Sequence, residues 1–556
     1  MRSPRRTGRS SRLRALAAAG LAALTLCAGA AAAPSTPAFA QRLGLAAGLS
    51  PEAVQRERLS FPGALEPHTP PALNRVDAYR YAADLNAGSA HPDAVLVLIP
   101  GLNSGPNTLD ILARELISRD PALEVWVVEP RAGILQDRRG IEAALAERDP
   151  DFALGYYYGG LAIDGRKYQA LDPKTVPSAA YWGLDLHLRD VRVVVQDVRR
   201  RYPGTRVLLG GHSLGAMLAA LYVGYDFGRM PGDTPVPAIG GTTLPSLEAG
   251  ARDVDGLVLI DGVPVHLIAP IRPYQYLNGL MFPLIGKVPG VNALLAPNPA
   301  RRVSPFTDTP SLARTKDSIL FDTIAVYAFL QPDAPSRLPG YPRNGIAITN
   351  EALLAAILSD EMEPDIFIRA SIGEPLGVFD RMPDPAGIAR QGLLKLSTGR
   401  PAPGQTLIRW IPYDRSTPRG RVDLRALEAA ILRPDGDFTQ WYMPWRLVLD
   451  LGLSLNLDTS DEFARRYVSL TQMRYVNLPI LILGAGRGLI RSPGLADFYL
   501  SQTAVSRSRV RVAIFPQYSH LDIENAVDNE AVRYILDWVP DVPRPESARA
   551  AGGEAP

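Results

Sequence analysis

The stretch 206–225, RVLLGGHSLGAMLAALYVGY, decides the fold. Arg206–Gly210 is an apolar run of strand length, and from Leu214 to Tyr225 the spacing places Met217, Leu218 and Leu221 on a packing face of a helix. Between the two lies Gly211-His212-Ser213-Leu214-Gly215. A strand that turns this sharply into a helix brings positions 211 and 215 together, so both must lack a side chain. The serine between them is left strained and exposed above the strand end.

Working outward, short apolar runs alternate with amphipathic stretches. Ala94–Ile99 reads as a buried strand ending at Pro100-Gly101, and 107–118 as a helix with Leu109, Leu112 and Leu116 on one face. A strand at 124–128 follows, then an irregular, tyrosine-containing stretch at 133–183, a helix at 184–201 and, after the central strand and helix, a strand at 256–260 ending at Asp261. Residues 263–475 are proline-rich with short helical patterns and fall outside the sheet. A strand at 480–483 resumes the alternation, followed by a helix at 492–504, a last strand at 510–515 and a closing helix at 529–539. This order predicts an α/β fold with a mostly parallel central sheet flanked by helices.

A strand, a Gly-x-Ser-x-Gly turn and a helix in this setting resemble the nucleophile elbow of the α/β-hydrolase family. The resemblance implies Ser213 as nucleophile, with backbone N–H groups of Leu214 and of Leu102, in Pro100-Gly101-Leu102-Asn103-Ser104-Gly105, as the oxyanion hole. Beyond the signal-like segment described below, the histidines are His68, His91, His187, His212, His266 and His520. Of these His520, in Tyr518-Ser519-His520-Leu521-Asp522 after the last strand, matches the family's base. The usual position of the acid, the loop 484–491, holds no carboxylate. Some family members take the acid from the end of the preceding strand, where this chain has Asp261; Asp497 is the competitor. Residues 263–475 stand where relatives carry a cap, here unusually large and mainly helical. Its apolar clusters, with Tyr276, Met281 and Phe282 in one and Trp441, Tyr442 and Trp445 in the other, line a pocket or form the cap's own core. The expected organisation is a signal peptide at 1–40, hydrolase core at 41–262, cap at 263–475, core again at 476–540 and a disordered tail at 541–556.

The chain has 556 residues and a net charge of +2 from 59 basic and 57 acidic side chains, a balance that leaves no electrostatic footprint for nucleic acid. Six arginines open the chain, an Ala/Leu run follows, and Ala38-Phe39-Ala40 precedes Gln41, the pattern of a cleaved secretion signal. Its removal subtracts six positive charges from +2, leaving −4 and no basic patch for a membrane surface. It also removes Cys27, the one cysteine, which excludes disulfides and thiol catalysis. The expectation is a secreted or periplasmic serine esterase or lipase acting on a small-molecule or lipid-like ester, with no cofactor, no metal and no stable membrane insertion. The alternatives are a secreted aminopeptidase of the same fold, for which Glu361 and Glu363 offer a carboxylate pair, and a catalytically silent binding protein. The sequence leaves the oligomeric state open.

Overall fold

Aliphatic runs too short for helices and buried on both faces become the inner strands of one sheet. The computed structural model describes residues 49–85, 91–230, 245–264, 271–282, 286–308, 315–338, 346–363, 366–376, 406–417, 419–455 and 462–545. Its main sheet has eight strands: β1 (Gln55–Pro62), β2 (Arg75–Ala82), β3 (Ala94–Ile99), β4 (Leu123–Glu129), β5 (Arg206–His212), β6 (Gly256–Ile260), β7 (Ile480–Ala485) and β8 (Val510–Phe515). They lie in the order β1-β2-β4-β3-β5-β6-β7-β8. β2 is antiparallel to both its neighbours, and every other pairing is parallel. β3, β6 and β7 are buried along their whole length, whereas β8, at the edge, is largely half-exposed. The register sets Ile99 opposite Gly211 and His212 opposite Ile260, so the carboxyl ends of β3, β5 and β6 finish side by side.

Among the described residues the helices of eight or more residues are α1 (Asp110–Arg119), α2 (Arg139–Glu147), α3 (Asp151–Tyr158), α4 (Leu184–Arg201), α5 (Leu214–Val223), α6 (Thr315–Leu330), α7 (Asn350–Leu358), α8 (Leu424–Ile431), α9 (Trp445–Ser454) and α10 (Glu530–Trp538). α4 is amphipathic: Leu184, Leu188, Val191, Val195 and Val198 are buried in the sheet's core, while Arg189 and Arg192 pair with acids outside it.

Two apolar clusters result. One packs the sheet against α4, α5 and α9; the other gathers Ile141, Tyr157, Trp182, Tyr327, Leu354 and Trp441 from α2, α3, the turn before α4 and the insertion. The stretch 133–183, expected to be irregular, therefore holds two helices and a small hairpin, Ala162–Ile163 with Arg166–Lys167. Its apolar positions serve the second cluster and not the sheet, which is why no sheet-facing periodicity marked it. β1 was missed because Arg56, Glu57 and Arg58 stand in a row at the sheet edge and leave its first half without an apolar pattern. The insertion adds two small sheets to its helices, Leu280–Phe282 with Gly286–Val288, and Ile346–Ile348, Thr406–Ile411 and Glu374–Leu376. The helix expected at 492–504 is a 3-10 turn, Pro493–Ala496, and a short α-helix, Asp497–Ser501.

The signal-like segment with Cys27, and His266, lie outside the described residues. Residues 541–545, expected to belong to a disordered tail, are described: Val542 is buried and its carbonyl accepts from Arg206 Nε at 2.6 Å, while 546–556 lie outside the described residues. Among the described residues no helix is long and apolar enough to cross a membrane.

The β1–β2 connection is held to α4 by a buried ion pair. Arg131 Nε and Nη2 donate to both oxygens of Asp190 at 2.8 and 2.7 Å, and the same guanidinium donates to the carbonyls of Ala64 and Leu73. Removing one partner strands the other charge in a dry site. Arg131→Met is expected to cost about 3–5 kcal/mol in denaturant unfolding; a loss below about 1 kcal/mol, the ceiling for an exposed pair, would show that the pair is dispensable.

Candidate active site

Ser213 closes β5 and caps α5 with φ 57° and ψ −120°, a strained conformation for an L-residue. It is held there by its N–H on Ile260 O at 2.9 Å and its carbonyl under Met217 N–H at 3.2 Å. A Cβ at Gly211 would stand 2.4 Å from the Gly215 carbonyl carbon, and one at Gly215 would stand 1.9 Å from Ile99 O, so both glycines are sterically required. The strand, tight turn and helix form at the expected positions, but Ser213, expected to stand exposed above the strand end, is buried.

Asp261 follows β6 directly, with φ 41° and no exposed surface. Its Oδ1 accepts the N–H groups of Ala485 (3.0 Å) and Ile490 (2.8 Å); its Oδ2 accepts Leu489 N–H (2.9 Å) and His520 Nδ1 (2.6 Å). The loop without a carboxylate is thus the receptor for this one. A Cβ at Gly488 would stand 2.1 Å from Asp261 Oδ2, so that glycine makes room for the acid. Burial opposes the charge, but the bonds from His520 and the backbone outweigh it and hold the carboxyl below its usual range. Asp497 lies elsewhere, exposed and paired with Arg507 at 2.8 Å.

His520 is 1% exposed. Because Asp261 only accepts, Nδ1 carries a proton. Its loop is tied to the insertion: Leu521 N–H and Ser519 Oγ donate to Arg369 O at 3.0 and 2.8 Å, and Ser371 donates through N–H and Oγ to Asp522 at 2.6 and 2.7 Å. Phe367 packs edge-on against the imidazole, centroids 6.1 Å apart. Ser213 is 5% exposed, and among the described residues its hydroxyl makes no hydrogen bond. Such contacts often tighten only with substrate bound. Of the other histidines, His68 pairs with Glu66, His91 packs edge-on against Tyr202, and His187 is buried in α4.

Leu214 opens α5, where helix geometry leaves its N–H without an intrahelical acceptor. Leu102 follows Gly101, at which a Cβ would stand 3.2 Å from Ser213 Cβ. Among the described residues neither N–H donates to a partner. The Leu102 loop is braced by a segment of the insertion that sequence reasoning missed: Gln440 N–H donates to Asn103 O at 2.7 Å, Gly105 N–H to Phe438 O at 2.8 Å and Asn107 N–H to Asp437 O at 2.9 Å. These are backbone pairings, invisible in side-chain patterns. The aromatic residues pack into the two apolar clusters, Tyr276 and Trp445 into the sheet's and Trp441 and Tyr442 into the one shared with α2 and α3: Trp441 Nε1 donates to Asp322 at 2.8 Å and Tyr276 OH to Asp450 at 2.7 Å. Met281 is 72% exposed, and nothing is described of the Phe282 side chain. Glu361 is ion-paired with Arg419 at 2.5 Å and Glu363 is buried.

His212 packs its ring 4.3 Å from that of His520 and donates Nε2–H to the His520 carbonyl at 3.0 Å. Burial, reinforced by His520, pushes its pKa down to about 3, so it is neutral. Its Nδ1 lies 3.1 Å from Glu524 Oε2, and burial holds the Glu524 carboxyl well above its ordinary range. A carboxyl whose folded pKa is raised destabilises the fold progressively as pH climbs above its unfolded value, about 4.3. Glu524→Gln is therefore expected to match the parent in unfolding free energy at pH 4 and exceed it at pH 8. A variant less stable than the parent at pH 8 alone would mean that Glu524 is charged in the fold.

No family model matches the chain, and no curated protein is similar to it in sequence. Solved structures similar to it include a Sulfolobus solfataricus protein assigned to the lipases (14% identity, 88% of this chain and 95% of that one, TM-score 0.44). Others are a carboxyl esterase of Bacillus coagulans (12%, 88% and 98%, TM-score 0.31) and a monoglyceride lipase of Saccharomyces cerevisiae (11%, 84% and 92%, TM-score 0.31). The protein's own strand order, its single reversed strand and its strand–elbow–helix give it the α/β-hydrolase fold.

Proposed function

We propose that the chain is a serine hydrolase that cleaves carboxylic esters. The observation that supports this most is the buried contact between Asp261 and His520 at 2.6 Å, beside an elbow serine with a strained backbone. In this reading His520 Nε2 takes the Ser213 proton as Oγ attacks the ester carbonyl, and Asp261 stabilises the resulting imidazolium. The N–H groups of Leu102 and Leu214 receive the negative charge that develops on the carbonyl oxygen. The imidazolium then gives its proton to the leaving alcohol. A water, deprotonated by His520, attacks the acyl-enzyme, and the acid departs as Ser213 regains its proton. The basic, then apolar, segment at 1–40 supports export from the cytoplasm.

A fluorophosphonate is expected to label Ser213 alone, and Ser213→Ala to abolish ester hydrolysis while leaving the unfolding midpoint unchanged within error. Labelling at another serine, or activity in the alanine variant, would overturn the nucleophile.

The acid is tested by comparison. Asp261→Asn is expected to lower kcat by about 10⁴, as when a triad aspartate stops selecting the histidine tautomer, and Asp497→Asn to leave it unchanged. The reverse pattern in steady-state kinetics would remove Asp261 from the mechanism.

A further inference from the structure

The loop that receives Asp261 and the loop that carries His520 are both held by one small cluster of the insertion, Asp360 and Ser371. The two residues stand on paired segments: Ala370 N–H donates to Leu358 O at 2.7 Å and Asp360 N–H to Ala370 O at 3.0 Å. Their side chains meet, with Ser371 Oγ 3.0 Å from Asp360 Oδ2. From the 485–490 loop, Arg487 brings its Nη1 to 2.5 Å from the same Oδ2, and Arg419 Nη1 donates to it at 3.0 Å. Ser371 faces the other loop. Its N–H and hydroxyl donate to the two oxygens of Asp522, which also accepts Ser519 N–H at 2.6 Å and so closes the turn around His520.

The Asp360 and Asp522 carboxylates have no exposed surface, so each keeps its place only while its donors stay. Arg487 lies between Ala485 and Leu489, whose N–H groups reach Asp261, and its own N–H is on Tyr518 O at 2.9 Å. A guanidinium fixed by Asp360 therefore fixes the turn that aims those amides. Burial already pushes the Asp522 carboxyl up to about 6, and loss of the Ser371 hydroxyl removes a donor that favours its charged form. The neutral acid is a weaker acceptor for Ser519 N–H, and the turn around His520 slackens.

We propose that Asp360 and Ser371 are positioning residues for ester hydrolysis, which set Asp261 and His520 in place relative to each other, Asp360 through Arg487 and Ser371 through Asp522. The inference rests on the esterase reading above and adds to it a contribution of the insertion to turnover. Both residues act through others and take no part in proton transfer.

The test uses the full-length protein with its active sites counted by fluorophosphonate taken to completion, so that unfolded molecules drop out of the rate. Asp360→Asn and Ser371→Ala are each expected to lower kcat per counted site on nitrophenyl butanoate by about tenfold to a hundredfold, the range that a misplacement of about 1 Å produces, with KM unchanged. Ser371→Thr, which keeps the hydroxyl, is expected to recover most of the loss. Glu361→Gln, which removes only the outer partner of Arg419, is expected to leave both constants as they are. Should Asp360→Asn fail to fold, Arg487→Gln, at a partly exposed side chain, carries the same decision. An unchanged kcat per site in both variants, or a loss confined to KM, would overturn the proposal. If the parent turns over no ester, the esterase reading falls, and the rate of fluorophosphonate labelling at Ser213, which needs His520 and Asp261 in place but no ester, decides for the positioning residues: slower labelling in both variants supports them, and equal labelling overturns them. A parent that is not labelled at all would bring down both readings.

Discussion

A carboxylate with no exposed surface persists in a folded protein only if the protein replaces the water it has lost. For Asp261 the replacement is three backbone N–H groups and one imidazole. Much of the surrounding structure follows from that requirement. The 485–490 loop has to turn its amides inward, which Gly488 permits by leaving space for Oδ2. The loop is itself fixed by Gly486 N–H on Phe515 O at 2.8 Å and Arg487 N–H on Tyr518 O at 2.9 Å, which ties it to β8 and to the segment that carries His520. Asp261 and His520 are therefore positioned by one continuous set of backbone bonds.

The sheet supplies the other half of the arrangement. Parallel β3, β5 and β6 end in register, and the residues that continue from those ends are Gly101 and Leu102, Ser213, and Asp261. Crevices beyond the carboxyl ends of parallel strands are where open α/β sheets bind ligands. The elbow's backbone strain persists because Gly211, Gly215 and Gly262 let neighbouring chains approach where any Cβ would collide.

What could be read from the sequence was whatever is written in side chains. The aliphatic runs at 94–99 and 256–260 coincide with strands to the residue, because strands buried on both faces read as continuous apolar runs; 510–515 coincides as well, although it is a largely half-exposed edge strand. Asp261 was legible for the opposite reason, as a charge at the end of an apolar run where it needs partners. The partners themselves were not legible, since amide groups have no letter in the sequence. The same holds for the 437–440 segment that braces the Leu102 loop, and for α2 and α3, whose apolar faces belong to a cluster assembled from distant parts of the chain. His187 read as one more helix residue, and nothing in its letter marks that Nε2 is left without a partner among the described residues.

The bonds from Arg369 and Ser371 to the histidine loop bear on the modularity of the protein. Asp522 is fully buried, and the Ser371 N–H and hydroxyl are two of the donors it relies on, with Ser519 N–H as another at 2.6 Å. Excising the insertion would strip that carboxylate of donors and free the loop that carries His520. It would also expose the second apolar cluster on α2 and α3. The insertion is thus not an accessory grafted on a self-sufficient core, and the smallest unit able to fold around this site is close to the whole described chain.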